Sequence, residues 1–98
     1  LGENMAGQEK IRVLSVDDIA ETRETVRRLL QFDTSIEVLG GAQSGKEAIT
    51  QCDQLKPDVV LMDINMPDMN GIEATEAIRK KTPYTQIIIL HIVLRVVA

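Results

Sequence analysis

The sequence predicts an α/β domain built on a doubly wound parallel sheet. Three observations predict it. Apolar runs suited to strands alternate with segments whose apolar residues recur at helical spacing, in the order β-α-β-α-β-α-β. The connections between them are short, and the right-handed crossover rule then makes successive strands parallel with helices on the sheet faces. No internal repeat or low-complexity linker interrupts the pattern, and 98 residues allow one small domain at most, with a thin margin of stability.

The first strand is expected at Ile11–Val16, a run rich in aliphatic residues. Residues 18–31 follow as an amphipathic helix, with Ile19, Thr22, Val26, Leu29 and Leu30 on one stripe and Glu21, Arg23, Glu24, Arg27 and Arg28 mostly outside. A short second strand spans 36–39, and Gly40-Gly41 ends it. Ser44 stands three residues before Glu47, the spacing of a capping box, ahead of a helix carrying Ala48, Ile49, Cys52 and Leu55 and closed by Pro57. Residues 58–62 suit a central strand; a loop at 67–71 leads to a helix at 72–81, and Thr82-Pro83 precedes the fourth strand, Gln86–Leu90.

Composition narrows the function. With 44% apolar and 27% charged residues the chain should fold, and a net charge of -4 argues against direct binding to nucleic acid or an anionic membrane. Cys52 is the single cysteine, which excludes a disulfide or a thiolate zinc site within one chain and fits a reduced cytoplasmic setting. Residues 1–9 lack the blocks of a signal peptide and are expected to be a flexible segment or cloning remnant, with Met5 as a natural start, leaving 10–98 as the domain. No apolar stretch reaches the roughly 18 to 20 residues of a membrane span.

Three carboxylates stand where two strands run out. Asp17 and Asp18 follow Val16, and Asp63 follows the run ending in Met62. Parallel neighbours bring their carboxyl ends to one crevice, the place where open α/β sheets bind ligands. Clustered carboxylates repel and call for a cation; hard Mg²⁺ takes oxygen ligands and keeps waters that a phosphate can replace. The expected chemistry is phosphate chemistry through Mg²⁺. Helix capping and turns account for one such aspartate, but not for a pair at one strand end and a third at another.

Val16-Asp17-Asp18, Leu61-Met62-Asp63-Ile64-Asn65-Met66-Pro67, Asn70-Gly71 and the stretch from Pro83 to Leu90 resemble a response-regulator receiver domain over about residues 10–90. The resemblance implies a five-stranded flavodoxin-like sheet of order 2-1-3-4-5 and a histidine kinase that passes its phosphoryl group to Asp63. It also implies Asp18 as a direct Mg²⁺ ligand, Asp17 as a ligand through water and the Asn65 carbonyl as a further ligand, with Pro67 and Gly71 shaping the loop.

The sequence departs from that pattern at its end. His91 stands where a receiver carries Thr or Ser, and the fifth strand with its Lys and aromatic switch residue, together with the last helices, has no counterpart, so the expected form is a C-terminally truncated receiver with impaired signalling. Of residues 87–98, nine are Ile, Val or Leu, Ala98 is a tenth apolar residue, and only His91 and Arg95 are polar. Such a stretch beside an open edge strand is expected to pair with a second copy as a homodimer. A protonated His91 could donate to the phosphoryl group in place of the lost hydroxyl.

Two further patterns have ordinary explanations. The run from Gly40 to Glu47 mimics a phosphate-binding loop, but Glu47 replaces the required hydroxyl, and a turn with a helix cap explains it. Met62, Met66 and Met69 are packing residues, since everything near them offers oxygen rather than soft ligands. The function classes left open are a Mg²⁺-dependent receiver accepting phosphate on Asp63, and a receiver-derived interaction module that dimerises without signalling. A phosphohydrolase is disfavoured because Asn65 stands where its general acid would be, so the chain is not expected to be an enzyme.

Overall fold

A computed structural model describes residues 9–90. Within them lie β1 (Ile11–Val16), α1 (Ala20–Leu30), β2 (Ile36–Ala42), α2 (Gly45–Leu55), β3 (Val59–Asp63), α3 (Gly71–Lys81) and β4 (Gln86–Leu90). The strands form one parallel sheet of order β2-β1-β3-β4, so the expected α/β architecture is found, with four strands among the described residues. Residues 1–8 and 91–98 lie outside this description, and with them the expectations for the N-terminal segment, for His91 and for most of the apolar tail.

The sheet is built around β1, whose residues from Val13 to Val16 are all buried, as befits a central strand covered on both faces. Leu14 and Val16 join Val60 and Met62 of β3, Ala48 and Cys52 of α2, and Ala74 and Ile78 of α3 in one core. Alternation sends Val13 and Ser15 to the opposite face, the side on which α1 buries Thr22 and Val26. The Cys52 thiol is pushed up to about 11 by its burial.

Boundaries differ from expectation at four places, one of them the third strand, which runs Val59–Asp63 instead of 58–62. The second strand continues through Gly40 and Gly41 to Ala42 instead of stopping at Leu39. A register shift sets Val13 opposite Val38 but Leu14 opposite Gly40, and Gly40 at φ +151° absorbs the extra residue. The first helix begins at Ala20, after Ile19 as N-cap, and its stripe is narrower than the pattern suggests: Ile19 is 51% and Leu29 64% exposed. Leu29 and Leu30 are roughly 100° apart around the helix, so one of the two must turn from the sheet. The last helix takes in Gly71, one residue before the expected start.

The other two helices are capped by side chains. Ser44 accepts the Glu47 N–H at 3.1 Å, while the Glu47 carboxylate reaches back to the N–H of Gln43 at 2.7 Å. Asn70 and Glu73 form a complete capping box on α3, with bonds of 2.8 and 3.2 Å. Away from the carboxyl ends, buried Thr85 donates its hydroxyl to Pro57 O at 2.8 Å and Gln86 N donates to Asp58 O at 2.9 Å, stitching the starts of β3 and β4 together. Strand β4 pairs with β3 alone among the described strands, and its Ile88 and Ile89 are 50% and 41% exposed.

Candidate metal centre

The register between strands decides where the carboxylates fall. Val16 of β1 pairs with Met62 of β3, which puts Asp17 and Asp63 next in line on neighbouring strands. Adjacent strands are about 4.8 Å apart, so their successive residues share one patch. Asp18 leaves β1 towards α1 and completes the group: one oxygen from each of Asp17, Asp18 and Asp63 lies within 4.8 Å of the others. Asp17 is buried, Asp63 half-buried and Asp18 exposed, so the group opens to solvent on the Asp18 side.

Electrostatics make this group costly when bare. Burial raises the Asp17 carboxyl above its ordinary value, the N–H of Ile19, held at 2.8 Å, opposes that, and the charges of Asp63 and Asp18 raise it again. Arg23 approaches from α1, but its guanidinium donates at 2.6 Å to the backbone oxygen of Asp17, not to the carboxylate. Gly41 makes room for it, since a Cβ there would lie 2.8 Å from Arg23 Cδ.

The loop 64–70 forms the other wall. Its ends are drawn together by Gly71 N donating to Ile64 O at 2.9 Å, and Asn65 N lies 3.4 Å from Asp63 Oδ1. A Cβ at Gly71 would sit 2.5 Å from the backbone oxygen of Asp63, so the helix start packs directly under the central aspartate. Asp68 reaches across to α2, where its two oxygens accept the N–H groups of Gly45 and Lys46, each at 2.9 Å.

Asp17, Asp18 and Asp63 thus come together as expected, and Asn65 stands beside Asp63. The Gly40 to Glu47 segment is strand end and helix cap, and the N–H groups at the start of α2 are taken up by Asp68 and Ser44. Met62 is fully buried, and Met66 and Met69 pack against the same core. An open cavity of about 370 Å³ lies elsewhere, against α1 and β2, lined by Arg23, Glu24, Arg27 and Gly40 among others. Reading the sequence alone missed the roles of Arg23 and Asp68. In the sequence Arg23 is one more exposed helix arginine, and Asp68 is a turn residue whose partner lies 23 positions away.

Comparison with known proteins agrees with this geometry. The family model for the response regulator receiver domain matches residues 13–93. The chain is 48% identical over 73 residues to a protein-glutamate methylesterase/protein-glutamine glutaminase of Methanococcoides burtonii, a match covering 74% of this chain and 21% of that protein. The response regulator domain of Thermotoga maritima CheB superposes with a TM-score of 0.78 at 44% identity, covering 82% of this chain and 59% of that one. The CheX-CheY-BeF3-Mg+2 complex of Borrelia burgdorferi gives a TM-score of 0.75 at 26% identity, covering 81% and 60%. The chain therefore spans about a fifth of that curated relative and about three-fifths of the solved chains. With parallel strands in the order β2-β1-β3-β4 and an aspartate at the end of β3 facing two more at the end of β1, the chain belongs to the response regulator receiver domain family.

Proposed function

We propose that the chain is a Mg²⁺-dependent phosphoacceptor of a two-component pathway, with Asp63 as the residue that receives the phosphoryl group. The observation that carries this reading is the trio of carboxylate oxygens within 4.8 Å, drawn from two strand ends and, among the described residues, without a salt bridge to neutralise them. The donor set suits the ion. Oxygens about 2.1 Å from one Mg²⁺ stand at most about 4.2 Å apart, so a small closing movement suffices. Burial raises the Asp17 carboxyl first and the charges of Asp63 and Asp18 raise it further, and a divalent cation relieves that repulsion. In this reading Asp18 and Asp63 hold the ion directly, Asp17 holds it through water, and the Asn65 carbonyl adds a ligand.

The bound ion would supply charge neutralisation for a nucleophile and a phosphoryl group that both carry negative charge. Asp63 does the covalent work: one carboxylate oxygen bonds to phosphorus as the bond to the donor's leaving atom breaks, and the electron pair leaves with the donor, which picks up a proton where the leaving atom is nitrogen and departs as a carboxylate where the donor is an acyl phosphate. The donor is a histidine kinase's phosphohistidine or a small acyl phosphate or phosphoramidate. A loose transition state asks for alignment and charge more than for acid–base groups, so few residues suffice. The Borrelia relative was solved with BeF3 and Mg²⁺, which supports the same pairing here. The segment 10–98 is read as the receiver unit, cytoplasmic and without direct nucleic-acid contact. Whether a methylesterase or other output accompanies it belongs to the whole protein.

Intact mass after incubation with Mg²⁺ and a small phosphodonor tests the proposal. One phosphoryl increment is expected, absent from Asp63→Asn and absent when the metal is chelated. No increment in protein that binds Mg²⁺ would favour the alternative, an interaction module. A specific observation lends that alternative weight: Ile88 and Ile89 are exposed on β4, an edge strand with one described neighbour. Homodimerisation through this edge, and signalling weakened by His91 in place of a hydroxyl, complete the proposal; a compact monomer by light scattering over a wide concentration range would refute the dimer.

A further inference from the structure

From the contacts that Asp68 makes, we infer that it is a positioning residue for the metal centre: it ties the loop carrying Asn65 to the start of α2 and so holds that wall of the site at its working distance. The inference rests on the metal reading above. Three observations converge on it. Asp68 is the one side chain of the loop 64–70 with hydrogen bonds to α2, and it is bidentate, with Oδ1 on Gly45 N and Oδ2 on Lys46 N, each at 2.9 Å. The next residue, Met69, is pressed onto the same spot, for a Cβ at Gly45 would collide with its Cγ and lie 2.7 Å from its Sδ. The loop's remaining hydrogen bonds to other elements or to its own ends are short-range ones, from Gly71 N to Ile64 O, between Asn65 N and Asp63, and in the cap that Asn70 makes with Glu73.

The consequence is mechanical. Helix α2 is immobilised in the core through Ala48 and Cys52, so the anchor for Asp68 is rigid. Two charge-assisted bonds to N–H groups that have no partner inside their own helix fix both the distance and the orientation of the loop. Without them the loop keeps only the hydrogen bonds at its two ends, beside Asp63 and at Asn70, and the apolar packing of Met66 and Met69, which fixes no orientation for the Asn65 carbonyl between them. Asp68 touches neither the carboxylates nor a metal. Its part in the chemistry passes through the backbone of the loop.

Isothermal titration with MgCl2, paired with thermal unfolding in EDTA, tests this on wild-type protein, Asp68→Ala, Asp68→Asn and Ser44→Ala. Removing the Ser44 hydroxyl strips a different cap from the same helix without touching the loop, so it controls for simple loss of helix stability. Asp68→Ala is expected to weaken Mg²⁺ binding by about tenfold, the low end of the effect of groups that support metal ligands. Asp68→Asn, which keeps one acceptor oxygen, should recover part of that loss, and Ser44→Ala should lower the melting temperature with wild-type affinity. Asp68→Ala protein that is destabilised yet binds Mg²⁺ as tightly as wild type would overturn the inference alone. Wild-type protein that takes up no Mg²⁺ would overturn the metal reading and the inference together.

Discussion

At the scale of single residues, the three aspartates show how one residue type acquires different duties from its surroundings. Asp17 is buried and held by the Ile19 N–H, whereas Asp18 is exposed. Asp18→Asn should therefore loosen Mg²⁺ binding with little penalty to the fold, within about 0.5 kcal/mol as for surface substitutions generally, as titration and denaturant unfolding would show. Asp68 behaves differently because N–H groups take up both of its oxygens. The Gly45 and Lys46 N–H groups hold its carboxyl below the ordinary carboxylate value. A depressed folded value means that the stabilisation is complete above the unfolded value and is lost as pH falls through the folded one. Acid unfolding of Asp68→Asn, in which the charge is already gone, should accordingly show a shallower loss of stability than wild type in that acidic window.

At the scale of elements, the strand ends and helix starts carry the site, and here the sequence was legible in some places and silent in others. The apolar runs, the Ser44–Glu47 spacing and the order of elements were readable because periodicity and capping are local properties. The extension of β2 was not, because a glycine pair signals a break until the register with β1 and the close approach of Arg23 are known. The three-carboxylate group was readable from strand ends, while the link from Asp68 to α2 needed the fold. Gly71→Ala probes this scale: the new methyl meets the Asp63 carbonyl at 2.5 Å, backbone that cannot step aside cheaply. A loss of about 1 to 3 kcal/mol, as for overpacked sites, is expected in denaturant titration, with phosphorylation of Asp63 reduced in the remaining folded protein. Asn70→Ala removes only the cap and should lower stability by about 1 kcal/mol while the site keeps its metal.

At the scale of the whole molecule, a small core and a bare cluster of negative charge leave stability dependent on what is bound. Anything held by the folded form alone stabilises it by mass action, so Mg²⁺ at about a hundred times its dissociation constant should add about 2.7 kcal/mol. The melting temperature should climb with Mg²⁺ in wild type and stay level in an Asp17→Asn, Asp18→Asn double variant. Cys52 gives a way to time this. The chain has no tryptophan, but its single thiol sits in the core with 1% exposure and is kept in the unreactive protonated form. An alkylating reagent can reach it only when α2 lifts from the sheet, so the rate of modification reports the fraction of molecules that are open. Under conditions where closing outruns alkylation, saturating Mg²⁺ should slow that rate by the factor by which it stabilises the fold, about a hundredfold at the concentration above. A sulfur atom with no part in the proposed chemistry thus becomes a built-in clock for the binding of Mg²⁺ by the carboxylates.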